Sequence, residues 1–231
     1  MESKISIASE SLANYVMFKL DKIENEFTLK ELDQINEVVI DYVNDEGIIN
    51  LNELNKFQNL KSITIRNGFI ENDDYKIFLS MKKLFKLTFD KCEFENADLI
   101  GSINLKVLEL IACKINDYSF IRLLNNLEEL TILNGNVEMN SINRLKKLKF
   151  LRLSYSYIIE NAELDIPDIK ILYIDNTNIK KLEFIKKLSN LEKIIIDNNQ
   201  YDNNKQIISY LNNENILVLD ENMVDFGVEN E

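Results

Sequence analysis

Histidine is absent from these 231 residues, and cations are short, with 27 Lys and Arg against 39 Asp and Glu for a formal charge of −12. The first absence removes every histidine-based nucleophile–base pair and every histidine-ligated metal site. The second leaves no Lys/Arg stripe, so phosphate backbones and anionic lipid repel the chain; nucleic-acid and membrane-surface roles are disfavoured. No apolar run approaches the ~18 residues of a transmembrane helix. The opening MESKISIASESLANYV lacks a basic n-region followed by an apolar h-region and a cleavage site. No secretory signal is read there, and a cytoplasmic location is expected if Met1 is the native start. A hydrophobic content of 45% argues against disorder.

What is present is a repeat. Residues 105–115, LKVLELIACKI, place Leu105, Leu108, Leu110, Cys113 and Ile115 on the spacing of a leucine-rich repeat. Leu108 and Leu110 alternate as a short strand with one buried face. First positions recur at Leu60, Leu84, Leu105, Leu127, Leu148, Ile169 and Leu191, at intervals of 24, 21, 22, 21, 21 and 22 residues. Fourth and sixth positions are Ile63/Ile65, Leu87/Phe89, Leu108/Leu110, Leu130/Ile132, Leu151/Leu153, Leu172/Ile174 and Ile194/Ile196. The eleventh are Ile70, Phe94, Ile115, Val137, Ile158, Ile179 and Tyr201. All 28 of these residues are apolar or Tyr, where composition would give fewer than half. One such unit cannot bury its own apolar side, so copies must stack. The expected fold is an α/β right-handed solenoid, with a parallel sheet on the concave face and short helices, 3₁₀ turns and loops on the convex side. It has seven clear repeats and degenerate copies at Ile35 and at Leu217/Leu219.

The ninth position holds Gly68, Cys92, Cys113, Gly135, Ser156, Thr177, Asn199 and, in the last copy, Asn222. Small or hydrogen-bonding side chains suit a turn that leaves strand-end backbone groups pointing into the stack. Cys92 and Cys113 are read as reduced, buried members of this column rather than as a redox or metal pair. Apolar residues also stand three and six places before most first positions, with Ser102 and Glu163 as exceptions. That is helical-turn spacing. Segments 73–83 and 203–212 have room for α-turns, and Pro167 predicts an irregular loop in its copy.

The chain divides into a helical N-terminal cap (1–34), the solenoid (35–222) and an acidic C-terminal strand or tail (223–231). In the cap, Leu12, Val16, Leu20 and Ile23 recur at helical spacing from Ser9. Thr28 and Glu31 form a capping-box pair before Leu29, Leu32 and Ile35. DNNQYDNN at 197–204 lacks the glycine and terminal glutamate of a calcium loop and is read as a solvated turn. Glu128-Glu129 and Asp73-Asp74 are adjacent pairs unsuited to acid–base chemistry. Lysine pairs at 82–83, 146–147, 180–181 and 186–187 fall on the convex return. Neither a cofactor nor a metal is called for, and the chain is read as non-catalytic.

The segments INDYSFIRLLNNLEELTI (115–132) and IKKLEFIKKLSNLEKIIIDNN (179–199) resemble internalin-type leucine-rich repeats of bacteria. The cap resembles that family too, with a helix, Thr-x-x-Glu and then the first strand. The resemblance implies a protein-binding role through the concave sheet.

Third, fifth and seventh positions of each strand point onto that face. Near one end they are polar: Ser62, Thr64, Arg66, Lys86, Thr88 and Asp90. In the middle they become Val107, Ile111, Leu133, Phe150, Ile171, Tyr173 and Ile195, with Arg152 among them. An exposed sheet has no folding reason to carry so many apolar side chains. Asp175, Asp197 and Asp220 are expected to form an acidic row beside them, suited to a basic rim on a partner protein. The expected function is protein–protein recognition by a monomer. A self-associating structural role using the same face is the alternative.

Overall fold

The computed structural model describes residues 3–42, 51–159 and 163–220. Nine strands form one parallel sheet, each pairing with the next in sequence. They are β1 (Glu37–Asp41), β2 (Ser62–Arg66), β3 (Lys86–Asp90), β4 (Val107–Ile111), β5 (Glu129–Leu133), β6 (Phe150–Arg152), β7 (Ile171–Tyr173), β8 (Lys193–Ile196) and β9 (Leu217–Asp220). The recurring apolar fourth and sixth positions set the register of β1–β8, because a slip of one residue would turn these core side chains outward. All fourteen fourth- and sixth-position residues from Ile63 to Ile196 are at most 1% exposed. The degenerate first copy obeys the same rule, with Val38 opposite Ile63 and Ile40 opposite Ile65.

Convex returns carry α3 (Asp74–Ser80), α4 (Met139–Ile142), α5 (Asn198–Asn203), α6 (Lys205–Asn213) and short 3₁₀ turns. The two longer helices, α3 and α6, lie in the longer inserts. Where the spacing fails, the adjacent residue takes the buried place: Ile103 after Ser102 and Leu164 after Glu163. Residues 163–170 contain no helix or strand, as Pro167 predicts.

The bend after each strand is made one position earlier than the sequence suggests. Asn67, Lys91, Ala112, Asn134, Tyr155 and Asn176, the eighth residues of six successive copies, all have φ between 50° and 59°. Asparagine tolerates this left-handed conformation; Lys, Ala and Tyr adopt it at a cost the stack must outweigh. The ninth residue then faces inward. Cys92 Sγ donates to the Ile65 carbonyl at 3.3 Å, and Cys113 Sγ to that of Phe89 at 3.3 Å. Ser156 Oγ donates to the Ile132 carbonyl at 3.1 Å. Each thus caps the sixth-position carbonyl of the preceding copy. Gly68 and Gly135 have negative φ and serve by size: a Cβ on Gly135 would lie 2.5 Å from Ile132 Cγ2.

At the N-terminal end α1 (Glu10–Lys19) is capped by Ser9 and packs on β1. The short α2 (Leu29–Leu32) has the Thr28–Glu31 capping box. Ile5 makes an antiparallel bridge with Phe27. Ile23 is 97% exposed rather than part of the helical stripe, because α1 stops at Lys19 and the chain turns through Asp21 at φ 51°. Leu29, the first residue of α2, is exposed as well.

The last copies depart from the pattern. After β8 the chain enters α5, so Asn199 and Tyr201 are exposed, and buried Gln200 assumes the inward role. Its Nε2 donates to the Ile174 carbonyl at 2.9 Å. In β9 the partners are Lys193↔Leu217, Ile194↔Val218, Ile195↔Leu219 and Ile196↔Asp220. Val218, not Leu217 or Leu219, therefore occupies the core column. Asn222 and the segment 223–231 lie outside the described residues.

Candidate binding face

The concave surface is built from three columns of outward positions, and its character changes along the sheet. Toward β1 it is polar. Glu109 accepts hydrogen bonds from Thr88 Oγ1 at 2.6 Å and Lys86 Nζ at 3.1 Å, tying β3 to β4. Beside the face, second positions from β4 to β8 form a rim of ion pairs, which includes Lys170 with Glu192 at 2.6 Å. Lys106 and Lys149 both reach Glu128 at 2.9 Å. The two lysines hold the Glu128 carboxyl down at about 2, through hydrogen bonds first and charge second. Glu129, next in sequence, points onto the concave face, so this acidic pair splays apart.

From β4 onward the face turns apolar. Val107, Ile111, Leu133, Phe150, Ile171 and Tyr173 are all half-buried on it. The Phe150 and Tyr173 rings meet at 5.5 Å between centroids, tilted by 45°. Arg152 stands with its guanidinium carbon 5.1 Å from the Tyr173 ring centre. Its Nε donates to Ser154 Oγ at 3.3 Å. Ile195 differs from its neighbours: at 1% exposure it is closed over between its Cα partners Tyr173 and Leu219. It supports the patch from beneath rather than forming its surface.

The expected acidic row does not form on this surface. Asp175 is 4% exposed, and its Oδ1 accepts the Ser154 hydroxyl at 2.6 Å. Asp197 is 8% exposed and caps α5, accepting from the Gln200 N–H at 3.0 Å. It also accepts the Asn176 N–H at 3.0 Å. Asp220 is level with Ile196, in the sixth, core-side column. Buried carboxylates need such partners, and here the chain itself supplies them.

Two apolar residues that the sequence reading missed extend the patch to the sheet edge. Leu217, 52% exposed, and Leu219 stand in the third and fifth columns. The run Ile216-Leu217-Val218-Leu219 has no alternation, so nothing local fixed its parity; pairing with β8 does. Lys193, also in the third column, lies 5.9 Å from the Tyr173 ring centre.

Cys92 and Cys113 are free and buried, away from this face. Burial pushes their thiols up to about 11 and about 12. Among the described residues no group of three His, Cys, Asp or Glu could hold a metal ion, and no helix is long and apolar enough to cross a membrane.

No protein-family model matches the sequence, and no relative matches it among curated proteins. Solved structures do match. An internalin (inlF) from Listeria monocytogenes superposes with a TM-score of 0.63 at 18% identity, over 82% of this chain and 56% of the other. The chain thus spans little more than half of that internalin's length. Internalin C2 from the same organism gives a TM-score of 0.58 at 21% identity, over 83% of this chain and 99% of the other. A leucine-rich-repeat protein of Leptospira interrogans gives 0.56 at 17%, over 73% and 46%. Likeness in the stacked parallel strands and convex turns, at such low identity, is a likeness of fold: the chain is a leucine-rich-repeat solenoid, built as the internalins are.

Proposed function

We propose that this chain is a non-catalytic scaffold that binds a protein partner on the C-terminal half of its concave face. The observation that carries the reading is the apolar, half-exposed surface running from Val107 to Leu217 along the outward columns of the sheet. Folding does not require it, since the core lies on the opposite side of the same strands. Aromatic side chains flanked by Arg are the groups that dominate binding energy at protein interfaces. A non-catalytic role is supported by the lack of histidine and by thiols that stay neutral at ordinary pH.

The test is a comparison of baits. Phe150→Ala and Tyr173→Ala should each weaken a partner retained by the wild-type chain by ~1–3 kcal/mol. The melting curve should move little, because both rings are only half-buried. A partner that binds the double variant as well as the wild type would place the site elsewhere.

A further inference from the structure

The third column of the concave face is its own complement, and this names a partner for the binding reading above, on which the inference rests. The strand register sets Val107, Glu129, Phe150, Ile171, Lys193 and Leu217 side by side on six consecutive strands, β4 to β9. From either end the order is apolar, charged, apolar, with the acid on one side of the centre and the base on the other. Neither charge has an ion-pair partner among the described residues. Glu129 is exposed, and its neighbour Glu128 takes both Lys106 and Lys149. Lys193 stands 5.9 Å from the Tyr173 ring centre, and a ring attracts a cation without neutralising it.

A two-fold axis parallel to the strands, midway between β6 and β7, brings two such faces together with their strand orders reversed. Strand spacing is the same in both copies, so the match holds at every place in the column. Glu129 faces the partner's Lys193, Phe150 faces the partner's Ile171, and Val107 faces the partner's Leu217. Two ion pairs then flank an apolar centre. Two concave faces leave most room at their middle, which is where the Phe150 and Tyr173 rings stand. A two-fold running along the column would instead set Glu129 on Glu129 and Lys193 on Lys193. We infer that the partner on this face is a second copy of the chain, docked about the axis parallel to the strands with reciprocal Glu129–Lys193 pairs. Six strands ~4.8 Å apart give a face roughly 24 Å by 16 Å, small beside the ~800 Å² per partner of a stable interface. Each copy also carries a charge of −12, so the dimer is weak and reversible.

The test is sedimentation equilibrium of the full chain from about 5 to about 500 μM, where a weak dimer shows as a rising mean mass. Glu129→Lys and Lys193→Glu should each weaken self-association at least about tenfold, by setting like charges opposite each other. The double variant restores both pairs with their signs exchanged, and should dimerise within about threefold of the wild type. A chain that stays monomeric at about 500 μM overturns the inference. If that monomer still retains a foreign partner through Phe150 and Tyr173, the proposed function stands without it. Single variants that weaken the dimer without rescue in the double variant overturn the two-fold arrangement. A dimer untouched by Phe150→Ala/Tyr173→Ala lies elsewhere and overturns the inference as well. Self-association seen only after residues 221–231 are removed would give the face to the chain's own end and overturn it too.

Discussion

Cys92 and Cys113 illustrate how one column can accept unlike residues. The ninth place needs a small group that reaches the carbonyl of the previous copy, and a thiol does so at 3.3 Å in both cases. Burial raises both thiols above the ordinary value of 9.0, to about 11 and about 12. The folded state therefore favours the protonated form. Their contribution to stability is fully present below the unfolded value and is lost as pH rises through the folded ones. Chemical denaturation should give a constant midpoint up to about pH 8 and a falling one between about 9 and 12. Replacing both by Ala should remove part of that alkaline decline. At pH 8 the native thiols should resist alkylating reagents and react only after unfolding. Rapid alkylation of the folded protein would contradict the burial.

The neighbouring eighth and ninth positions make opposite demands that composition does not reveal. Gly135→Ala places a Cβ 2.5 Å from Ile132 Cγ2 and 2.9 Å from the Tyr118 hydroxyl, and should cost about 1–3 kcal/mol. Ala112, at φ 50°, is already strained, so Ala112→Gly should be neutral or stabilising by up to about 1 kcal/mol. Urea midpoints of the two variants check this pair, and equal losses in both would refute the assignment of roles. Asn67, Asn134 and Asn176 hinted at the left-handed position. Lys91, Ala112 and Tyr155 hid it, because there the stack imposes the conformation against local preference.

At the scale of elements, what was legible depended on the spacing of the repeat. Strands β1 to β8 could be placed from their apolar fourth and sixth residues, and the cap helices from Ser9 and the Thr28–Glu31 pair. The last turn of the solenoid was not legible, for two physical reasons. Asp197 and Gln200 form a second capping box that starts α5 where earlier copies turn through a left-handed residue. And β9 lies in an unbroken apolar run. The register makes a sharp prediction: Val218→Ser, on the core side, should destabilise by about 1–3 kcal/mol, whereas Leu217→Ser should change the denaturation midpoint hardly at all. The reverse order would restore the register with Leu217 and Leu219 inside. The same slip explains why Asp220 was misplaced and why the two leucines were missed as surface residues.

For the whole molecule, the repeat divides labour between its faces. The core face must be apolar in every copy for the stack to close, so it carries no specificity. The concave face is free to vary, and it does so in blocks: hydrogen-bonded and acidic near β1–β3, apolar and cationic from β6 to β9. The patch residues Val107, Ile111, Leu133, Phe150, Ile171 and Tyr173 were legible because parity in a strand assigns faces. The buried fate of Ile195, Asp175 and Asp197 was not, since it depends on contacts between copies and on the capping of α5. On the convex side Lys147 reaches Asn126 at 2.5 Å, and Lys187 pairs with Glu163, each on a neighbouring turn. Site-directed photo-crosslinking tests the central claim most directly, with a photoreactive phenylalanine analogue placed singly at Ile171, at Leu217 and at convex Lys146. The account predicts partner crosslinks from 171 and 217 and none from 146; crosslinks confined to 146 would contradict it.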